Sequence, residues 1–169
     1  MASDQLDVMV DFETLGVSRD SVILSAGIVL FDPKGTGVVE EYYGELDVLS
    51  QIAEGRTTSK QTVDWWRATN IDELLRLLCN FDGMSLADLE YAVTSYRNIG
   101  HVWSRGYMDF EILQDITMDH FKYWQFRDVR TLDSFGNTKM KSNSHNALED
   151  CKNQVKYVQE VLLLLLCQR

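Results

Sequence analysis

An α/β fold built on a mixed sheet is what the order of the apolar segments predicts. Three β-branched runs separated by turn signals come first, and strand candidates alternating with helical patterns follow. The second informative observation is Asp11 and Glu13, two carboxylates one residue apart at the end of the first apolar run. On a strand, residues i and i+2 face the same way, so the two charges stand side by side. Like charges that close resist joint ionisation unless a cation lies between them, which makes the pair half of a candidate divalent-metal site.

The elements follow in order. Leu6 to Phe12 and Ser21 to Phe31 are rich in Val, Ile and Leu and are split by Gly16-Val17-Ser18-Arg19-Asp20, which reads as strand, loop, strand. Asp32-Pro33-Lys34-Gly35 is a turn signal, and Val38 to Leu46 supplies a third strand, so an antiparallel meander opens the fold. Thr58 with Gln61, Asn70 with Glu73, and Ser85 with Asp88 resemble capping boxes. They mark helix starts before Val63 to Trp66, Leu74 to Leu78, and Leu86 to Tyr96. His101 to Ser104 is a fourth strand, and Asp109 begins a helical pattern through Ile112, Leu113 and Ile116. Phe126 to Val129 is a fifth strand. Gly136 to Ser144 is a polar loop, after which Ala147, Cys151, Val155 and Val158 continue at helical spacing into Leu166. One domain over residues 1–169 is expected, with no internal repeat and no linker.

With 169 residues and 45% apolar content, the chain can bury a core without disulfide support. Cys79, Cys151 and Cys167 are odd in number, widely spaced and form no CxxC, which predicts a reducing, cytoplasmic setting and argues against zinc. The first residues carry no basic segment of the kind a signal or transit peptide needs. The longest apolar run, Val161 to Cys167, falls far short of the roughly 20 residues that cross a bilayer. No membrane partner is expected. A net charge of −10 speaks against a protein that coats nucleic acid, but the charge is uneven: Lys122 to Lys156 carries a local balance of +3. Such a region could hold a few phosphates near a metal site; the alternative, and the commoner meaning of scattered Lys and Arg, is a solvated mixed-charge surface.

Treating Asp11 and Glu13 as metal ligands brings three other residues into view. Asp109 follows the fourth strand, at the edge where a parallel sheet exposes its ligand site. His145 closes the polar loop, and Asp150 lies five residues later in the last helix. Hard divalent cations favour oxygen ligands, and four carboxylates with one imidazole form a coherent set for phosphoryl chemistry. Taken singly, each of the five has an ordinary reading as a solvated charge, a helix-terminal carboxylate or a loop histidine.

The order Asp11-x-Glu13, Asp109, His145-x-x-x-x-Asp150 resembles the DEDDh branch of the DnaQ-like 3′-to-5′ exonucleases, which have a ribonuclease H-like fold. The resemblance runs from about Val8 to Tyr157. It also takes in Thr62-Val63-Asp64-Trp65-Trp66, Trp103-Ser104-Arg105-Gly106, Arg127-Asp128-Val129-Arg130-Thr131 and His145 to Asp150. It is nearest to the group that includes exonuclease A of the T-even phages and related bacterial exoribonucleases. Asn146 stands where the sister branch has a tyrosine, which places the chain with the histidine branch. Ser104-Arg105-Gly106-Tyr107-Met108 departs from the asparagine that many members carry before the third carboxylate, and follows the phage-like group's arginine version. The loop before His145 is shorter than in the T-even relative.

The resemblance implies a five-stranded mixed sheet flanked by helices and two Mg²⁺ or Mn²⁺ ions. Asp11 would bridge both ions, Glu13 and Asp150 would complete the first, Asp109 would hold the second, and His145 would be the general base. It implies release of nucleoside 5′-monophosphates from the 3′ end of single-stranded DNA or RNA. Two bound ions would move the net charge from −10 to −6, leaving a weak grip and a short footprint. Leu15, Thr14, Trp66 and Arg105 are the expected substrate contacts, with Leu15 the candidate for the terminal base and Phe12 turned into the core. Trp65 and Trp66 point in different directions on a helix, so one of the two rings is expected to be exposed. Trp103, His101 and His120 are read as structural. A homodimer is compatible with the sequence. The competing readings are an inactive module that binds a nucleic-acid end or a protein, and a nuclease confined to very short oligoribonucleotides.

Overall fold

Alternation along the first strand sorts its side chains into two layers. The computed structural model describes residues 5–118, 120–135, 140 and 145–167. In β1 (Asp7–Thr14), Val8, Val10 and Phe12 enter one apolar cluster, whereas Met9 enters another on the opposite face. β2 (Ile23–Phe31) and β3 (Glu40–Glu45) continue antiparallel from β1, while β4 (Val102–Ser104) and β5 (Phe126–Asp128) run parallel to it. The resulting five-stranded sheet has the order β3-β2-β1-β4-β5, the ribonuclease H-like arrangement expected from the sequence.

Among the described residues six α-helices surround it: α1 (Val48–Ala53), α2 (Lys60–Thr69), α3 (Ile71–Leu78), α4 (Leu86–Thr94), α5 (Tyr107–Ile116) and α6 (Ala147–Cys167). Leu89 and Val93 of α4 and Phe110, Ile112 and Leu113 of α5 cover the Val8 face. Cys151, Val155, Val158 and Val161 of α6 cover the Met9 face. A third cluster, with Leu15, Leu24, Val48, Trp66, Leu74 and Leu77, fastens α1 to α3 to the end of β1 and the start of β2. Among the described residues no helix is long and apolar enough to cross a membrane.

Several boundaries differ from the sequence reading for identifiable reasons. α2 is capped by Ser59 rather than Thr58, because the Ser59 amide donates to the Leu15 carbonyl at 2.7 Å and holds that residue extended. Its hydroxyl then accepts from Thr62 N–H. α5 starts two residues before Asp109, since Gly106 at φ 112° turns the chain directly out of β4. The six-residue α1, started by the Asp47 cap, has no counterpart in the sequence reading, being too short to show a period. Except for Met140, the expected loop Gly136 to Ser144 lies outside the described residues.

At the far end of β1, buried Asp7 accepts hydrogen bonds from His101 N–H at 2.9 Å and from the Trp103 indole at 2.8 Å. This gives His101 and Trp103 the structural roles expected of them.

Candidate active site

Asp11 and Glu13 continue the face of β1 that Met9 gives to α6, so their carboxylates meet the first turn of that helix. The contact is close because Gly27, paired with Asp11 across the β1–β2 ladder, has no side chain: a Cβ there would lie 2.3 Å from the Ala147 carbonyl oxygen. Cys151, one turn on, seats its Sγ 3.3 Å from the Gly27 carbonyl. These small residues bring buried Asp150 to the strand, and carboxylate oxygens of Asp11, Glu13 and Asp150 lie within 4.8 Å of one another.

Asp109 arrives from the other layer. β4 pairs with β1 only at Val8 and Met9, which leaves the later part of that edge open. Asp109, on the first turn of α5, uses the opening: its Oδ1 accepts the Phe12 N–H at 3.2 Å. A register shift between Glu13 and Thr14 ends the strand here.

His145 stands at the entry to α6. Its N–H donates to Asp150 Oδ2 at 3.1 Å, and the Asn146 side chain accepts from Glu149 N–H at 3.1 Å, which closes the first turn. The His145 backbone lies in the left-handed region at φ 57°, a conformation a non-glycine residue adopts at some cost. Its ring sits edge-on to Trp65 and Trp66, with centroids 5.0 and 6.2 Å away.

The electrostatics are those of a carboxylate cluster short of positive charge. Burial, then the charges of Asp109 and Glu13, push Asp11 well above the usual carboxylate range. Burial and the facing Asp150 and Asp109 raise Glu13 to about 7. Burial raises Asp109 to about 7 against the lowering effect of the Phe12 N–H. Gln154 donates to Asp11 Oδ1 at 2.8 Å, and its own Oε1 is the buried side-chain oxygen without a partner among the described residues. Asp11 and Glu13 form no ion pair with a described lysine or arginine. A cluster of buried oxygens with this deficit fits a hard divalent cation.

A cleft of about 530 Å³ opens on the cluster. Asp11, Glu13, Asp109 and His145 line it, as do Thr14, Trp66 and Arg105 of the expected substrate contacts. Trp66 is buried, its indole donating to the Thr14 carbonyl at 2.9 Å, and the more exposed ring of the pair belongs to Trp65. Leu15 departs further from expectation. The register shift interrupts the alternation, and Leu15 packs beneath α2 and α3 while exposed Val17 lines the cleft. Arg130, Gln154 and Trp65 were not singled out as site residues from the sequence. Arg130 and Trp65 lie in segments that carried the family resemblance. Gln154 follows Asp150 by four residues, one helical turn.

The model of the 3′-5′ exoribonuclease Rv2179c-like domain matches residues 6–162. The chain belongs to this family. It is a 3′-5′ exonuclease, hence a phosphodiester hydrolase. The exonuclease is 26% identical to the exodeoxyribonuclease of Enterobacteria phage T4 over 160 aligned residues, covering 74% of this chain and 69% of the relative. Its fold is shared with the nuclease domain of 3′hExo, a DEDDh family member solved bound to rAMP: TM-score 0.58, 12% identity, 95% of this chain and 93% of that one. A similar match is S. pombe Pop2p in its Mg²⁺- and Mn²⁺-bound form, with TM-score 0.56, 11% identity, and 94% and 81% of the two chains.

Proposed function

We propose that the exonuclease hydrolyses the 3′-terminal phosphodiester bond of single-stranded nucleic acid, releasing nucleoside 5′-monophosphates, with two Mg²⁺ or Mn²⁺ ions held by Asp11, Glu13, Asp150 and Asp109. The observation that carries this reading is the convergence of Asp11, Glu13 and buried Asp150 within 4.8 Å, with Asp11 and Glu13 lining the cleft and Asp109 arriving from α5. When bound, the cations offset charge on the attacking and leaving oxygens of the scissile phosphate. His145 takes the proton of the attacking water while the water oxygen bonds to phosphorus. The bond from phosphorus to the 3′-oxygen of the penultimate nucleotide breaks, that oxygen acquires a proton from solvent, and the released nucleotide keeps its 5′-phosphate. Trp65 and Trp66 hold the imidazole at the cleft, Thr14 and Val17 contact the terminal nucleoside, and Arg105 and Arg130 meet phosphate. All five of the proposed catalytic residues come from one chain, so this chemistry needs no second copy. The reading is of one exonuclease domain acting in a reducing cytoplasm, a host's if the chain is phage-encoded.

Shortening of 5′-labelled RNA and DNA oligomers tests the proposal. Stepwise loss from the 3′ end, with nucleoside 5′-monophosphates as products and complete arrest in EDTA, is expected. Intact oligomers with both metals, or products bearing 3′-phosphates, contradict it.

A pH dependence follows from the carboxylates. Burial raises Glu13 and Asp109 to about 7 in the folded chain, from ordinary values of 4.5 and 3.8. Between those limits the folded state binds more protons than the unfolded state, so the metal-free protein loses stability as pH rises. Thermal denaturation in EDTA should show Tm falling between pH 5.5 and 8. The Tm gain on adding Mg²⁺ should be larger at pH 8 than at pH 5.5, where protons compete for the ligands. An equal gain at both pH values would remove these carboxylates from the metal site.

A further inference from the structure

A second cavity, of about 380 Å³, lies beside the catalytic cleft, along α5. The two share their supports. The loop after β1 gives Gly16 and Val17 to the cleft and Arg19 to the second cavity, and the first turn of α5 gives Met108 and Asp109 to the cleft and Tyr107 and Phe110 to its neighbour. The two cavities therefore draw on neighbouring residues of the same two segments.

Its chemistry is aromatic and basic. Tyr107 and Tyr123 line it at 57% and 80% exposure, and Trp124, 60% exposed, adjoins it through Tyr123, a concentration of large rings in water that core packing does not explain. Phe110 and Phe126 stack with centroids 4.4 Å apart, and Tyr107 stands edge-on to Phe126 at 5.6 Å. Tyr123 and Trp124 meet edge-to-face at 5.2 Å. Arg19 and Lys122 line the cavity, as does Glu111. The Arg19 guanidinium donates to Asp115 from Nε and Nη2 at 3.2 and 3.0 Å, yet its side chain remains 62% exposed. Arg56 shares that same carboxylate at 2.9 Å.

We infer that this groove binds the single-stranded segment on the 5′ side of the nucleotide being removed, bases stacking on Tyr107, Tyr123 and Trp124 and phosphates meeting Arg19 and Lys122. The inference rests on the proposal that the cleft takes a 3′ end. Once the terminal nucleotide occupies the carboxylates, the only nucleic acid left to leave the cleft is the 5′ side, and the groove stands on the same two segments as the cleft. Rings offer every base a π-face and the cations offer the backbone a counter-charge, which is how single strands are held without sequence preference. The groove makes the enzyme a length sensor: a dinucleotide reaches little of it, and a longer strand engages it fully.

The test compares kcat/KM on a dinucleotide, a tetranucleotide and an octanucleotide, in RNA and DNA arms, for the wild type and for Tyr123→Ala/Trp124→Ala. Wild type should gain roughly ten-fold from dinucleotide to octanucleotide in both arms, because stacking does not depend on the 2′-hydroxyl. The double variant should lose most of that ratio through KM. Far-UV circular dichroism and measurable dinucleotide turnover establish that the variant is folded. A flat length series in wild type, a length effect confined to one sugar, or a variant that keeps the wild-type ratio overturns the inference. A variant that keeps the ratio but self-associates less in sedimentation also overturns it and assigns the patch to a second copy. If wild type cleaves none of the oligomers, the substrate reading has failed instead, an outcome distinct from cleavage without length dependence.

Discussion

Asp11→Asn lowers turnover by roughly 10³-fold or more and at the same time raises the thermal stability of the metal-free enzyme. Both effects follow from one arrangement. Asp11 is buried on β1 and sits within reach of the charges of Glu13, Asp109 and Asp150. Without a cation its ionised form is opposed by desolvation and by three like charges. The asparagine amide removes the charge, keeps the volume, and leaves an oxygen to accept the Gln154 bond of 2.8 Å. In EDTA at pH 8, Tm should rise by about 3–6 °C, corresponding to about 1–2 kcal/mol in a chain of this size. The Mg²⁺-dependent rise seen in wild type should vanish. Loss of activity accompanied by a lower Tm in EDTA would instead make Asp11 a structural residue.

Gly27→Ala should be nearly as damaging, although Gly27 belongs to no chemical step. The added Cβ would stand 2.3 Å from the Ala147 carbonyl oxygen and 2.4 Å from its carbon, atoms of a helix backbone that cannot turn aside as a side chain can. α6 must back away from β2, opening the packing of Cys151 and Val155 against Met9 and Val29. Overpacking of this kind costs about 1–3 kcal/mol, which lowers Tm by roughly 3–10 °C. The sharper consequence is catalytic. Asp150, a proposed metal ligand, is carried on the first turn of that helix, and a displacement on the order of 1 Å at such a ligand should lower kcat by roughly 10²-fold. Steady-state kinetics on the folded variant would reveal a kcat loss with KM little changed. Unchanged kcat would show that Asp150 reaches the cluster by some other support.

Strand-borne chemistry was the most legible part of the sequence. Asp11 and Glu13 share a face because strand alternation is strict, and the five strands were all marked by β-branched runs or by their place between helices. The fate of Leu15 was hidden, because a one-residue register shift at Glu13/Thr14 breaks that alternation and leaves no mark in composition. Trp65 and Trp66 show the same limit on a helix: adjacency guarantees different directions, but the choice of exposed ring is made by the Trp66 indole bonding to Thr14, a contact across 52 residues. Gly27 was invisible for a related reason. A glycine inside an apolar strand signals close approach, yet the partner, Ala147, lies 120 residues away.

Counting Mn²⁺ by electron paramagnetic resonance, with a nucleoside 5′-monophosphate present, tests the metal centre most directly. Two Mn²⁺ per chain are expected for wild type, one for Asp109→Asn and none at high affinity for Asp11→Ala. Retention of both ions by Asp11→Ala, or absence of bound Mn²⁺ in wild type, would contradict the assignment of Asp11, Glu13, Asp109 and Asp150 to a divalent-metal site.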